Sequence, residues 1–301
     1  SLLSLPVPGV PMEDLKQVTR DLLASGAPIQ DMNTVRKHLS VIQGGRLALA
    51  TRARVLALVI SDVTGDDPTH IASGPTVPDP TTYQDAIDIL ERFAVSAPAT
   101  IAAHLARGAA GGEPETPKPG DPAFARVDNR VIATAHASLM QAAAYMREHG
   151  VAPMVLGDSV TGESAEVAKV YAALARQVRE HGHPVKPPVA LISGGETTVT
   201  LKKRGRGGRC SEFLLSLAVS LDGLGDTWAL ACDTDGIDGS EDNAGAILTP
   251  DALARARGLG LAAKKMLAEN DSYGFFAALG DLVVTGPTRT NVNDYRIILV
   301  R

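Results

Sequence analysis

Four short segments carry residues whose types and spacing could do chemistry. Ser61-Asp62-Val63-Thr64-Gly65-Asp66-Asp67 sets carboxylates directly after an apolar run. A carboxylate there can accept a proton or hold a metal. Asp62 can equally cap the next turn, and Asp66 and Asp67 read as solvated. Ser193-Gly194-Gly195-Glu196-Thr197 offers two glycines whose N–H groups could face an anion, or a plain hairpin turn. Residues 202–209, Lys-Lys-Arg-Gly-Arg-Gly-Gly-Arg, hold five cations just before an apparent helix start at Ser211. Glycines, free N–H groups and a helix dipole favour an anion there. Arg209, beside the helix start, is the better phosphate partner, while Lys202, Lys203 and Arg204 read as a solvated basic hairpin. Asp233-Thr234-Asp235-Gly236-Ile237-Asp238-Gly239 brings three carboxylates within six residues. That suits a divalent ion such as Mg²⁺ beside phosphate, through one or two of the acids. The alternative is an acidic turn. An EF-hand is excluded, because Ile237, Asp238 and Ala244 stand at its fifth, sixth and twelfth positions.

The elements around these segments alternate. Helical spacing marks residues 13–24 through Leu15, Val18 and Leu22, with Gly26 placed to end the helix. Asn33 is a candidate N-cap for a helix through Leu39. The run Val-Leu-Ala-Leu-Val-Ile at 55–60 reads as a strand buried on both faces. Tyr83, Ile87, Leu90 and Ala94 mark another helix, and 108–122 a surface loop. Residues 130–133, 138–149 and 152–156 read as a βαβ-like unit, followed by a helix striped by Val167, Val170, Leu174 and Val178. Three prolines in Pro184-Val185-Lys186-Pro187-Pro188 make the best candidate linker. Beyond it, strands are expected at 189–192, 197–201, 227–232, 245–248, 282–285 and 295–299, with a helix from Ser211. This alternation predicts α/β layers in both halves, and three of the four segments directly follow strands, where open α/β sheets place ligands.

Composition narrows the classes. The 301 residues are 45% hydrophobic and 21% charged, ordinary for a globular chain and unlike a disordered, collagenous or coiled-coil one. A formal net charge of −5 does not favour nucleic-acid binding. The longest clear apolar run, 55–60, is too short to span a bilayer, and no signal peptide opens the chain. The two cysteines, Cys210 and Cys232, have no metal-type spacing, so the cytosol is the default compartment. A P-loop and an H-E-x-x-H pattern are absent. Residues 258–263 match G-x-G-x-x-A, but helix rather than strand precedes them, so no dinucleotide fingerprint stands. His136 and His149 read as structural or exposed.

Taken in order, residues 193–200, 205–209 and 234–239, with Thr285-Gly286-Pro287-Thr288-Arg289-Thr290-Asn291-Val292-Asn293-Asp294, resemble the MOFRL domain of the bacterial and archaeal glycerate 2-kinases. Asn33-Thr34-Val35-Arg36-Lys37-His38-Leu39-Ser40 and Ser61-Asp62-Val63 resemble that family's N-terminal domain. The resemblance covers nearly the whole chain. It implies a Rossmann-like, doubly wound N-terminal domain over 1–183, lacking its first strands here, and a smaller α/β MOFRL-type domain over 188–301. The active site would lie in the cleft between them. It also implies ATP- and Mg²⁺-dependent phosphorylation of D-glycerate to 2-phosphoglycerate. Some members carry the label hydroxypyruvate reductase, which implies NAD(P)H and ranks second; a catalytically inactive ligand-binding fragment is the third reading.

With that chemistry as the expectation, each candidate residue is given a role as a hypothesis. Arg209 and the Gly207-Gly208 backbone would hold phosphate oxygens, with Ser193, Gly194 and Gly195 also at the nucleotide. Asp235, with Asp238, would bind Mg²⁺ or orient the nucleophile. Asp62 or Glu196 would take the hydroxyl proton. Arg36, Lys37 or His38 would pair with the glycerate carboxylate, and Asn291 and Asn293 would donate neutral hydrogen bonds. Two departures stand out. Ser1-Leu2-Leu3 resembles the tail of a family glycine-rich stretch, which implies an upstream segment bearing a phosphate lysine. Cys210-Ser211 replaces the family's Asn-Gln, leaving Arg209 and Glu212 in place. Partners would be small molecules, with no nucleic acid and no membrane; the oligomeric state, a homodimer included, is left open.

Overall fold

The computed structural model describes residues 3–63, 65–203 and 205–301. Thr64 of the first acidic segment and Arg204 of the basic one, like Ser1 and Leu2, lie outside the described residues. The chain divides into two compact units, Ser1–Ile132 and Ala133–Arg301. The α/β class and the two-domain organisation match the sequence reading, but the division does not fall at 184–188. Residues 152–157, upstream of the prolines, pair in parallel with the strand that follows them, so the proline segment connects neighbours within one sheet.

The first unit runs α1 (Met12–Ala24), α2 (Ile29–His38), α3 (Arg46–Leu49), β1 (Val55–Ile60), α4 (Tyr83–Arg92), α5 (Ala99–Ala109) and β2 (Val127–Ala133). Helix α1 buries Leu15, Val18 and Leu22, as its spacing predicts. Helix α2 begins four residues before Asn33, after Pro28, so Asn33 is not an N-cap. Its side chain instead reaches His70 and Ser73. Helix α4 starts on a capping box between Thr82 and Asp85. Helices α1, α2, α4 and α5 share one core that includes Leu22, Val35, Ile89 and Ile101. Strands β1 and β2 pair only with each other among the described residues. β1 is not buried on both faces: Leu56 and Leu58 are 56% and 60% exposed. The βαβ-like reading fails as well, because β2 lies in a different sheet from 152–157.

The second unit continues α6 (Ala135–Glu148), β3 (Ala152–Gly157), α7 (Ser164–His181), β4 (Val189–Gly195), α8 (Arg209–Leu221), β5 (Thr227–Asp233), β6 (Gly245–Leu248), α9 (Ala252–Gly258), α10 (Ala263–Ala268), α11 (Ser272–Leu279), β7 (Leu282–Val283) and β8 (Asp294–Val300). Its sheet has the order β3-β4-β8-β5-β6-β7. Only β3 and β4 are parallel; β8 runs antiparallel to both β4 and β5. β4 is buried along its whole length. Val189 and Leu191 face a core with α7 and α8, while Ala190 and Ile192 face Leu139 and Ala143 of α6. Cover on both faces explains why β4 reads as a continuous apolar run. Residues 197–201 do not form the expected strand; Thr198 makes only an isolated bridge to Glu163.

Candidate active site

Strand register builds the site. Gly195 at the end of β4 lies opposite Asp294 at the start of β8, and Asp294 lies opposite Asp233 at the end of β5. Glu196 follows Gly195. Three carboxylates therefore gather at one edge of the sheet, and Arg209, the first residue of α8, reaches all of them. Its Nε donates to Asp294 Oδ1 at 2.7 Å, Nη1 to Glu196 Oε1 at 2.6 Å and Nη2 to Asp233 Oδ2 at 2.7 Å. Such charge-assisted bonds are short and strong. Buried Arg296 pairs with the other oxygen of Asp294, donates to Gly194 O and Thr197 Oγ1, and stacks on Phe213.

Burial sorts the partners. The Asp294 and Asp233 side chains are 0% and 7% exposed, Arg209 is 22% exposed, and Glu196 is 57% exposed. Burial opposes charge on Arg209, but Asp294, Asp233 and Glu196 outweigh it and hold the guanidinium more firmly protonated than usual. Burial pushes Asp233 and Asp294 upward, against the pull of Arg209 on both and of Arg296 on Asp294. The cluster opens to solvent on the Glu196 side.

The glycines of these loops have a packing role. A Cβ at Gly195 would lie 2.3 Å from Val160 N, one at Gly207 2.2 Å from Ser272 Oγ, and one at Gly208 2.3 Å from Asp238 Oδ1. These positions admit the protein's own chain at close range, which requires glycine at all three. Gly194 is packed against Asp294 O and its carbonyl is taken by Arg296, while Ser193 is fully buried in β4.

Asp238 is also not where a metal ligand would be. It is fully buried and accepts from Cys210 N at 2.9 Å, Ser211 N at 2.8 Å and Ser211 Oγ at 2.7 Å. Asp235 is half-buried at the sheet edge; one oxygen accepts from Ile237 N at 2.8 Å. Among the described residues no group of three or more His, Cys, Asp or Glu is arranged to hold a metal ion. Asn291 Oδ1 accepts from Asn293 N at 2.9 Å, and buried Asn293, with φ 64°, accepts Thr234 Oγ1 at its carbonyl. Both asparagines thus shape the loop entering β8.

The remaining candidates lie in the first unit. Asp62 is exposed just past β1. Arg36 is half-buried and donates to Asn33 Oδ1 at 3.4 Å. Lys37 and His38 are sealed: Lys37 Nζ meets Asp79 Oδ1 at 3.3 Å, and His38 bridges Thr34 O and Glu115 Oε2. Their side chains are 2% and 0% exposed, so neither presents a charge to a substrate carboxylate. Burial pushes His38 below its ordinary value. Lys37, Thr81 and His38 overcome burial and hold Asp79 below the usual carboxylate range.

Sequence reasoning missed Asp294 and passed over Asp233 for its neighbours. The available signal was position: each acid stands at the edge of an apolar strand. Their pairing depends on antiparallel register between segments about 60 residues apart, which local patterning does not encode.

Known proteins agree with this architecture. Residues 1–106 match a domain of unknown function (DUF4147), and residues 189–294 match the MOFRL family. A protein of Agrobacterium vitis provisionally named hydroxypyruvate reductase is 50% identical over 303 residues, spanning 100% of this chain and 67% of that protein. The glycerate 2-kinase of Pyrococcus horikoshii is 39% identical, spanning 100% of this chain and 68% of that one. The crystal structure of the glycerate kinase of Thermotoga maritima superposes with a TM-score of 0.88 at 37% identity, covering 100% of this chain and 70% of that one. The Arg209 cluster thus sits in the MOFRL part of a chain that belongs to the glycerate 2-kinase family.

Proposed function

We propose that this protein transfers a phosphoryl group from ATP, as its Mg²⁺ complex, to the 2-hydroxyl of D-glycerate. The observation that carries this reading is Arg209, a strongly held cation at a sheet edge whose outermost partner, Glu196, is exposed. Phosphoryl transfer depends on positioning and charge neutralisation, which such an arginine supplies. Its Nε and Nη2 stay on buried Asp294 and Asp233, which fix the guanidinium plane. Its Nη1 is offered to a phosphate oxygen in exchange for Glu196.

Glu196, so released, would take the hydroxyl proton, with Asp62 the second candidate. Mg²⁺ keeps several waters and binds through one or two carboxylates plus substrate phosphates rather than a full protein cage. A single half-buried acid fits that demand, and Asp235 is the residue that would hold it. The bound Mg²⁺–ATP supplies the phosphoryl group and neutralises its oxygens. Arg36 is the remaining partner for the glycerate carboxylate, and Asn291 for neutral hydrogen bonds. The enzyme would work in the cytosol.

The names of the Agrobacterium vitis relatives favour a second reading, reduction of hydroxypyruvate, but no dinucleotide fingerprint supports it. A coupled assay of the full-length gene product separates the two, with ATP plus D-glycerate in one tube and NADH plus hydroxypyruvate in another. ADP release without NADH oxidation is expected; NADH oxidation alone overturns the proposal.

A further inference from the structure

The geometry points to Asp238 as a positioning residue for Arg209, holding the first turn of α8 so that the guanidinium meets its carboxylates in register. This rests on the reading of Arg209 as the phosphate-binding arginine.

The argument starts at the helix end. The first N–H groups of a helix have no partner within it. In α8 the amides of Cys210 and Ser211, the two residues after Arg209, both donate to Asp238, 28 and 27 residues away in the chain. Ser211 Oγ adds a third bond to the same carboxylate and accepts from Gly208 N at 3.1 Å. The carboxylate is thereby closed around the two residues that follow Arg209, and Ser211 Oγ ties in Gly208, the residue before it.

The surrounding backbone is cut to fit it. A Cβ at Gly208 would strike Asp238, and one at Gly239 would lie 2.5 Å from Gly207 O. Asp238 N itself donates to Asn243 O at 2.6 Å, which anchors the acid from behind. An anion of the protein's own thus occupies the helix N-terminus, where a phosphate was expected from the sequence. The positive end of α8 is spent on holding Arg209, and the phosphate is left to the arginine side chain.

The test compares Asp238→Asn with Leu217→Ala, a core truncation farther along α8, in the full-length protein. Nitrogen-edited spectra follow solvent exchange of the Arg209 Nε–H, melting curves follow stability, and steady-state assays separate kcat from KM. Asp238→Asn should speed Nε–H exchange about tenfold or more, because a local tether has opened. It should lower kcat about tenfold or more, since small misplacements of catalytic groups are that costly, with the KM for ATP changing much less. Leu217→Ala, though destabilising, should show neither change. If Asp238→Asn does not fold, Ser211→Ala, which removes one of the three bonds, should speed Nε–H exchange measurably. Unchanged exchange in the folded variant, equal effects of Leu217→Ala, or faster exchange with unchanged kcat overturns the proposal. Should wild-type protein show no phosphoryl transfer, the reading of the activity fails, while the exchange result still decides whether Asp238 positions Arg209.

Discussion

Each unit holds a cation against carboxylates, and the two clusters differ in access. Lys37, Asp79 and His38 are 2%, 0% and 0% exposed, and their network meets solvent at its rim, through Glu115 at 36%. Arg209 is 22% exposed, and one of its three acids, Glu196, is 57% exposed. The first cluster can stabilise and specify a fold; the second can also exchange a partner for a ligand. Charge clustering in a sequence therefore indicates interaction, and solvent access decides whether that interaction is available for chemistry.

The largest effect should come from the acid that both arginines share. Asp294→Ala leaves buried Arg296 and part-buried Arg209 without their common carboxylate. Breaking a buried pair costs about 3–5 kcal/mol, and two are broken here, so little folded protein is expected at 37 °C. Circular dichroism melts check this; a melting temperature close to that of the wild type contradicts it.

In the sealed cluster, Lys37→Met strands Asp79 in the interior. We expect a loss of about 3 kcal/mol, the lower end of the range for a broken buried pair, measured by urea unfolding. Any activity lost should track the folded fraction. A well-folded Lys37→Met variant without turnover would break the distinction between the two clusters.

Burial pushes Glu212, which accepts from Asn270, up from its ordinary 4.5 to about 7. Between these values the folded state binds more protons than the unfolded state, so the contribution of this group to stability falls as pH rises through the window. Glu212→Gln should therefore stabilise the protein at pH 8 by an amount on the order of 3 kcal/mol. The gain should shrink to near zero toward pH 4.5, as melting at several pH values would show. A gain that does not depend on pH contradicts the assignment.

The smallest effect belongs to the exposed cations Lys202, Lys203 and Arg206. Lys203 pairs with Glu269 at 3.2 Å while 65% exposed. Lys203→Ala should cost less than about 0.5 kcal/mol, as exposed pairs do, and should leave kcat unaltered. A large loss of turnover would move the phosphate site outward from Arg209 into the basic loop.

Much of this was legible in the sequence. Apolar runs located β4, β5 and β8, and the helix after the basic segment put Arg209 at a helix entry. The family resemblance is upheld by the whole-chain matches. What was not legible is what non-local packing decides. Glycines at 195, 207 and 208 looked like ligand cradles, but they admit Val160, Ser272 and Asp238. The basic and polar residues Lys37 and His38 looked like substrate contacts, yet α2 turns them inward. Asp235 and Asp238 drew attention by spacing, whereas antiparallel register selected Asp233 and Asp294. The alternating exposure of β1 was hidden by a run of uniformly apolar residues.

The most direct test of the account is turnover of Arg209→Ala in the full-length enzyme with ATP and D-glycerate, corrected for folded fraction. Arginines that stabilise phosphoryl transfer are worth roughly 10³–10⁵ in rate, and a loss of that order per folded molecule is expected. The melting temperature should also fall, because Asp233 loses its cation. A folded variant with turnover within about threefold of wild type, against the loss expected for such an arginine, would contradict the claim that the Arg209 cluster carries the chemistry.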